Sequence, residues 1–160
     1  MPANSLFTVL GDVPSERAGT TVTWKAAPRL DVILDLGGRR LDERFGAEVA
    51  TRARLRLDPR GASMIGGELR RSGVGDDAWS GVRATGRFAL PRALTLATEL
   101  ELVRPDVDRG HGTLWPWGLV SLGWQRGEWQ GAVAGEATSS AEYRYRVDVL
   151  AQLTRVWGLR

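Results

Sequence analysis

The single histidine, His111, lies in the run Asp108-Arg-Gly-His-Gly-Thr113, where Asp106 or Asp108 can orient its ring for proton transfer. No serine is marked by its context as a nucleophile, and Gly-His-Gly is also ordinary loop composition. A hydrolase reading therefore rests on His111 alone, and an exposed loop histidine accounts for the same residues. Cysteine is absent, which removes thiol catalysis, disulfide frameworks and thiolate metal sites. There is no phosphate loop, dinucleotide fingerprint, metal-ligand spacing or internal repeat, so no metal or cofactor is expected.

Charges spaced two residues apart carry more information. Arg52, Arg54 and Arg56 form one such set, Arg83 and Arg87 follow the same parity, and Arg144 and Arg146 form another. Asp31, Asp35, Glu48, Glu68, Glu99, Glu101, Glu136 and Asp148 recur in strand-like segments with the same period. Gathered on one shielded face, these groups must form a hydrogen-bonded ion-pair network or be hydrated, because an unpaired buried charge is costly. Such a face is either a stabilising plug or a path for ions and small solutes. The net charge is +3 and the sequence pI about 10.1, with Lys25 the sole lysine. The arginines alternate with apolar residues instead of clustering, which argues against a nucleic-acid-binding arm.

The elements that position these charges are strands. In 94–102, Leu94, Leu96, Thr98, Leu100 and Leu102 alternate with Thr95, Ala97, Glu99 and Glu101. Val49, Thr51, Ala53, Leu55 and Leu57 oppose the Arg52 set; Val82, Ala84, Gly86, Phe88 and Leu90 oppose Arg83, Thr85, Arg87 and Ala89. Tyr143, Tyr145, Val147, Val149, Ala151 and Leu153 alternate with Arg144, Arg146, Asp148, Leu150 and Gln152. This predicts about ten strands, near 5–10, 19–26, 29–37, 46–57, 61–71, 79–90, 92–103, 114–125, 128–138 and 142–157. Tight turns are expected at 25–29, 58–61, 91–92 and 125–128, and longer links at 37–46, 72–78, 104–113 and 138–142. A helix is the competing reading for 47–57 and for 139–154, where Ser139 and Glu142 have capping-box spacing.

Hydrophobic residues are 42% of the chain and charged residues 26%, with 20 glycines and 7 tryptophans. No window approaches the roughly eighteen apolar residues of a helical span, but alternation dilutes the apolar content of a membrane strand. Trp24, Phe88, Trp124, Trp129 and Trp157 fall near the tight-turn ends, and Trp79, Trp115, Trp117, Tyr143 and Tyr145 near the long-link ends. Two aromatic belts with Leu, Val, Ala and Gly between them suit the two boundaries of a bilayer. Arg39, Arg40, Arg70, Arg71, Arg104 and Arg109 gather near the long links, where they can bind phosphates or remain solvated.

On these residues the chain resembles the transmembrane domain of a Gram-negative outer-membrane β-barrel over essentially its whole length. Val147 to Trp157 is similar to that family's C-terminal assembly signal, although Gly158-Leu159-Arg160 continues past the aromatic and Arg155 takes an outward place. The resemblance implies an all-β, antiparallel up-and-down transmembrane barrel, one domain over 1–160 or the C-terminal part of a larger barrel. It also implies a lipid-bilayer partner, lipopolysaccharide as the source of phosphates for the arginines at the long-link end, and an outer-membrane location. The N-terminus has no signal-peptide pattern. A soluble antiparallel barrel binding a small ligand is the alternative, and an outer-membrane hydrolase the third reading.

Overall fold

A computed structural model of the chain describes residues 15–41, 44–74, 78–107, 113–140 and 144–156. These form nine strands: β1 Ser15–Ala27, β2 Leu30–Leu41, β3 Arg44–Arg56, β4 Met64–Val74, β5 Trp79–Leu90, β6 Leu94–Pro105, β7 Trp115–Arg126, β8 Trp129–Thr138 and β9 Arg146–Arg155. They lie in one sheet in the order β1 to β9, each antiparallel to its neighbours in sequence. The fold is all-β and up-and-down. Among the described residues the sheet is open, with β1 and β9 at its edges. Of the ten strands expected, the one at 5–10 lies outside the described residues. Of the two segments open to a helical reading, 47–56 is strand within β3 and 146–154 is strand within β9, while 141–143 lie outside the described residues.

The connections depart from the expected alternation at two points. At one end lie 28–29, 57–63, 91–93 and 127–128; at the other lie 42–43, 75–78, 106–114 and 139–145. The link expected at 37–46 is mostly ladder, with Gly37 opposite Glu48 and Arg40 opposite Phe45. Glycine marks close backbone approach there instead of a loop, since a Cβ on Gly19 would stand 2.7 Å from the Leu36 carbonyl oxygen across the β1–β2 pair. Conversely, the turn expected at 58–61 is a seven-residue link, 57–63. Asp58 organises it by accepting from the backbone N–H groups of Arg60 (2.9 Å), Ala62 (3.2 Å) and Ser63 (2.5 Å). Those donors, Ser63 foremost, hold the Asp58 carboxyl below the ordinary aspartate range.

The β5–β6 turn is strained. Arg92 (φ 63°) and Ala93 (φ 58°) both adopt the left-handed conformation, which costs an L-residue about 1–2 kcal/mol. Ala93→Gly is expected to raise the unfolding free energy by up to about 1 kcal/mol, after the entropy of glycine is subtracted. An unchanged or lowered denaturation midpoint would show that the turn gains nothing from relief of this strain.

The register decides the shape. A line of direct cross-strand partners runs Trp24, Val32, Ala53, Gly67, Ala84, Leu100, Gly118, Ala137, Val147. It starts near the 28–29 turn on β1 and arrives near the 139–145 link on β9. Partner lines run across the strands, so this drift means that the strands are inclined to the two rims. Closing a sheet into a barrel requires such a stagger.

Packing is inverted relative to a soluble domain. Among the described residues no side chain is fully buried, and Ser72, at 6%, is the one buried polar residue. On neighbouring positions of β6, Leu100 is 62% exposed while the Glu101 side chain is 12% exposed. Charged groups on one face shelter one another, and the leucines and valines of the other face look outward. A soluble domain buries its apolar face against a second layer. The described residues provide no second layer.

Candidate functional site

The charged face carries an ionic lattice. In register across four strands stand Arg52 on β3, Glu68 on β4, Arg83 on β5 and Glu101 on β6, a row of alternating sign. Arg52 bridges its two neighbours, bonding Asp35 on β2 and lying 3.4 Å from Glu68. Asp35 also accepts from the Thr21 hydroxyl at 2.5 Å. Arg56 pairs with Asp31 at 3.2 Å, Arg83 with Glu99, and Arg39 with Glu48 at 3.9 Å. Arg70 reaches over β5 to Glu101, and its guanidinium lies 4.6 Å from the centre of the Trp79 ring. Gly81 makes that crossing possible: a Cβ there would stand 3.5 Å from the Arg70 Nε and 3.1 Å from the Trp79 ring.

Most of the charges picked out by alternation share this face, but they are not equivalent. Arg54 and Arg87 point the same way and make no ion pair among the described residues. Arg144 lies in the 139–145 link, outside β9. Arg146 pairs with Asp148 at 2.7 Å, and Glu136 stands directly opposite Asp148 across β8–β9. Glu136 accepts from the Trp117 indole N–H at 2.7 Å. Toward the 91–93 and 127–128 turns the face becomes neutral. There Thr95, Gln125, Gln130, Gln152 and Thr154 surround a shallow recess of about 490 Å³ floored by Gly123 and Ala132.

The outward face carries a row of aromatics along its tight-turn rim. Trp24 (64% exposed), Phe88, Trp124 and Trp129 lie toward the 28–29, 91–93 and 127–128 turns. Tyr145 lies at the opposite rim. Three tryptophans assigned to the belts by their position along the chain do not belong to them: Trp79, Trp115 and Trp117 share the parity of Arg83 and Leu119 and sit on the charged face. Arg70 over Trp79 and the Trp117–Glu136 bond show what holds two of them there. Phe45 was missed. It is 75% exposed on the outward face beneath the Arg40 guanidinium at 5.3 Å, and its shared parity with Ala47 and Val49 was the available signal. Tyr143, Trp157, Arg109 and His111 lie outside the described residues.

Parity also divides the arginines near the long links. Arg39 and Arg70 turn inward to Glu48 and Glu101, whereas Arg40, Arg71 and Arg104 are outward. Arg71 and Arg104 flank Ser80 in one register line, and Arg71 donates to the Ser80 hydroxyl at 2.9 Å. The hydrogen bond from Arg71 holds the Asp106 carboxyl below the ordinary aspartate range. Among the described residues there is no group of three or more metal-ligating side chains. Comparison with protein-family models, with curated proteins and with solved structures finds no match to this chain.

Proposed function

We propose that this chain forms the wall of a membrane-spanning antiparallel β-barrel of the bacterial outer-membrane type, with its ionic lattice filling or lining the lumen. The observation that carries the reading is the inverted sheet. An outward band of Leu, Val, Ala, Gly and Thr is bounded by a row of aromatics at the tight-turn rim, with no protein layer over it among the described residues, while carboxylates and guanidiniums are the sheltered groups. Lipid supplies the missing layer at no cost in cavities, because it fills any shape around the small residues. Strands of 10–13 residues match the roughly 9–11 needed to cross a bilayer at a tilt. The soluble-barrel alternative needs the leucine face inside, opposite to the direction in which this sheet shelters its side chains.

The lattice suits a role as a plug or a narrow filter for ions and small solutes. Arg104, beside Ser80 at the edge of the apolar band, is the group proposed to meet phosphates of outer-leaflet lipid, since the Arg71 guanidinium is already bonded to Asp106. Denatured chain diluted onto phospholipid vesicles is expected to gain sheet structure and protease resistance, and to self-associate in buffer without detergent. A monodisperse monomer in plain buffer, with the same sheet content and no affinity for vesicles, would overturn the membrane reading.

A further inference from the structure

Charge is not evenly compensated across the sheltered face. Toward the long links Arg39, Arg70 and Arg83 each pair with one carboxylate, Glu48, Glu101 and Glu99 in turn, and Arg52 pairs with two, Asp35 and Glu68. Toward the 28–29, 57–63 and 91–93 links the balance fails. There, among the described residues, Lys25, Arg54, Arg56 and Arg87 share the face with one carboxylate, Asp31. Asp31 stands directly opposite Arg54, yet both of its oxygens accept from the Arg56 guanidinium, at 3.2 Å each. Glu99, the next carboxylate along the face, is bonded to Arg83. Arg54 and Arg87 are therefore left exposed and without an ion pair among the described residues.

We infer that Arg54 and Arg87, with Arg56 and the Thr85 hydroxyl, form a binding site for a small oxyanion: inorganic phosphate or sulfate, or the phosphate group of a small solute. Register brings the four residues together. Arg54 and Thr85 lie in one cross-strand row on either side of Gly66, and Arg56 and Arg87 lie in the next row on either side of Met64. Only β4 separates β3 from β5, so the two unpaired arginines start roughly 10 Å apart and their long side chains can converge over it. Gly66 places no side chain between them. The Thr85 hydroxyl leans over that glycine, 2.9 Å from where a Cβ would stand. A guanidinium fork donates two parallel hydrogen bonds to an oxyanion, and two like charges with no carboxylate left to them gain most from an anion that neutralises both. A divalent cation would be repelled by the same groups. The site is a property of the sheet itself; its place in the mouth of a lumen rests on the membrane-barrel reading.

The test is a titration with sodium sulfate at constant ionic strength, sodium chloride making up the balance. The full chain is folded into phosphatidylcholine nanodiscs, which leave both rims of the sheet open to solvent. The expected result is a saturable rise in the denaturation midpoint and a matching calorimetric isotherm. Arg54→Ser/Arg87→Ser should weaken sulfate binding about tenfold or more. That variant removes no ion pair among the described residues, so its sheet should form, and circular dichroism reports whether it does. Arg54→Lys/Arg87→Lys keeps the charge and loses the fork; it should also bind more weakly, and it serves if the serine variant does not fold. Arg60→Ser, which removes an exposed cation from the 57–63 link, should bind as the unmodified chain does. No saturable response in folded unmodified chain would overturn the inference, and so would equal sulfate binding by the unmodified chain and the variants at positions 54 and 87. A chain that stays out of lipid is titrated in buffer in the same way. Sulfate binding that depends on the two arginines there would uphold the site and remove the membrane reading alone.

Discussion

Val120→Arg is expected to prevent folding into lipid vesicles, whereas Ser121→Arg, one residue along, should fold with little loss. Both residues lie in the middle of β7 and differ only in the face they occupy. Val120 is 52% exposed on the outward face between Thr98 and Gly135, where its new guanidinium would meet hydrocarbon. An arginine on the lipid face near the midplane costs about 2–4 kcal/mol. That is a large fraction of the roughly 5–15 kcal/mol that holds a domain folded. Ser121 stands between Ala97 and Ala134 on the charged face, where small neighbours leave room and other polar groups are near. The measurement is the denaturant dependence of vesicle folding for the two variants. Equal tolerance, or the reverse order, would mean that the apolar face is covered by protein.

The second large effect separates two arginines that alternation treats as equals. Arg52→Ser leaves Asp35 and Glu68, on the strands either side of β3, without the cation that bridges them. Removing one partner of a fully buried pair costs about 3–5 kcal/mol. The Arg52 side chain is 42% exposed, so screening reduces the expected loss to about 1–3 kcal/mol. Arg54→Ser removes no ion pair among the described residues, and stability should change by no more than about 0.5 kcal/mol. Planar-bilayer recording adds a second readout. In the proposed barrel of about ten strands, long side chains would largely fill the lumen, so the unmodified chain should conduct weakly. Arg52→Ser should raise the conductance while lowering stability. A large, steady conductance from the unmodified chain would mean a wider assembly, and equal stability losses from the two serine variants would mean that the lattice is not what stabilises the sheet.

Much of the fold is legible in the residues because strand side chains alternate strictly and each strand carries its own two-sided pattern. Parity alone assigns Val49, Leu100 and Val120 to one face and Arg52, Glu68, Arg83 and Glu101 to the other. It fails where a local cue competes. Gly37 and Gly38 resemble a loop, yet both are paired in the β2–β3 ladder, and it is Gly19 on β1, opposite Gly37, whose missing side chain lets β1 and β2 approach closely. Trp79, Trp115 and Trp117 stand near strand ends, and position along the chain suggests a belt while parity sends them inward. The candidate site is legible as a composition and not as a set of partners. Arg52 with Asp35 and Glu68, and Arg70 across Gly81 to Glu101, join residues many positions apart whose meeting depends on which rows fall into register.

What the amino-acid sequence determined by itself is therefore the class of structure and the chemistry of its two faces, since both depend on period and side-chain type within single strands. The tertiary structure decided the lateral relations: the stagger from Trp24 to Val147, the split of equivalent-looking arginines into bridged Arg52 and Arg54, which has no ion pair among the described residues, and the common direction of β1 and β9. Each of these is a property of registration between strands. A one-residue slip would keep every strand's alternation and still turn its leucines to the opposite face, so only the assembled ladder selects the partners.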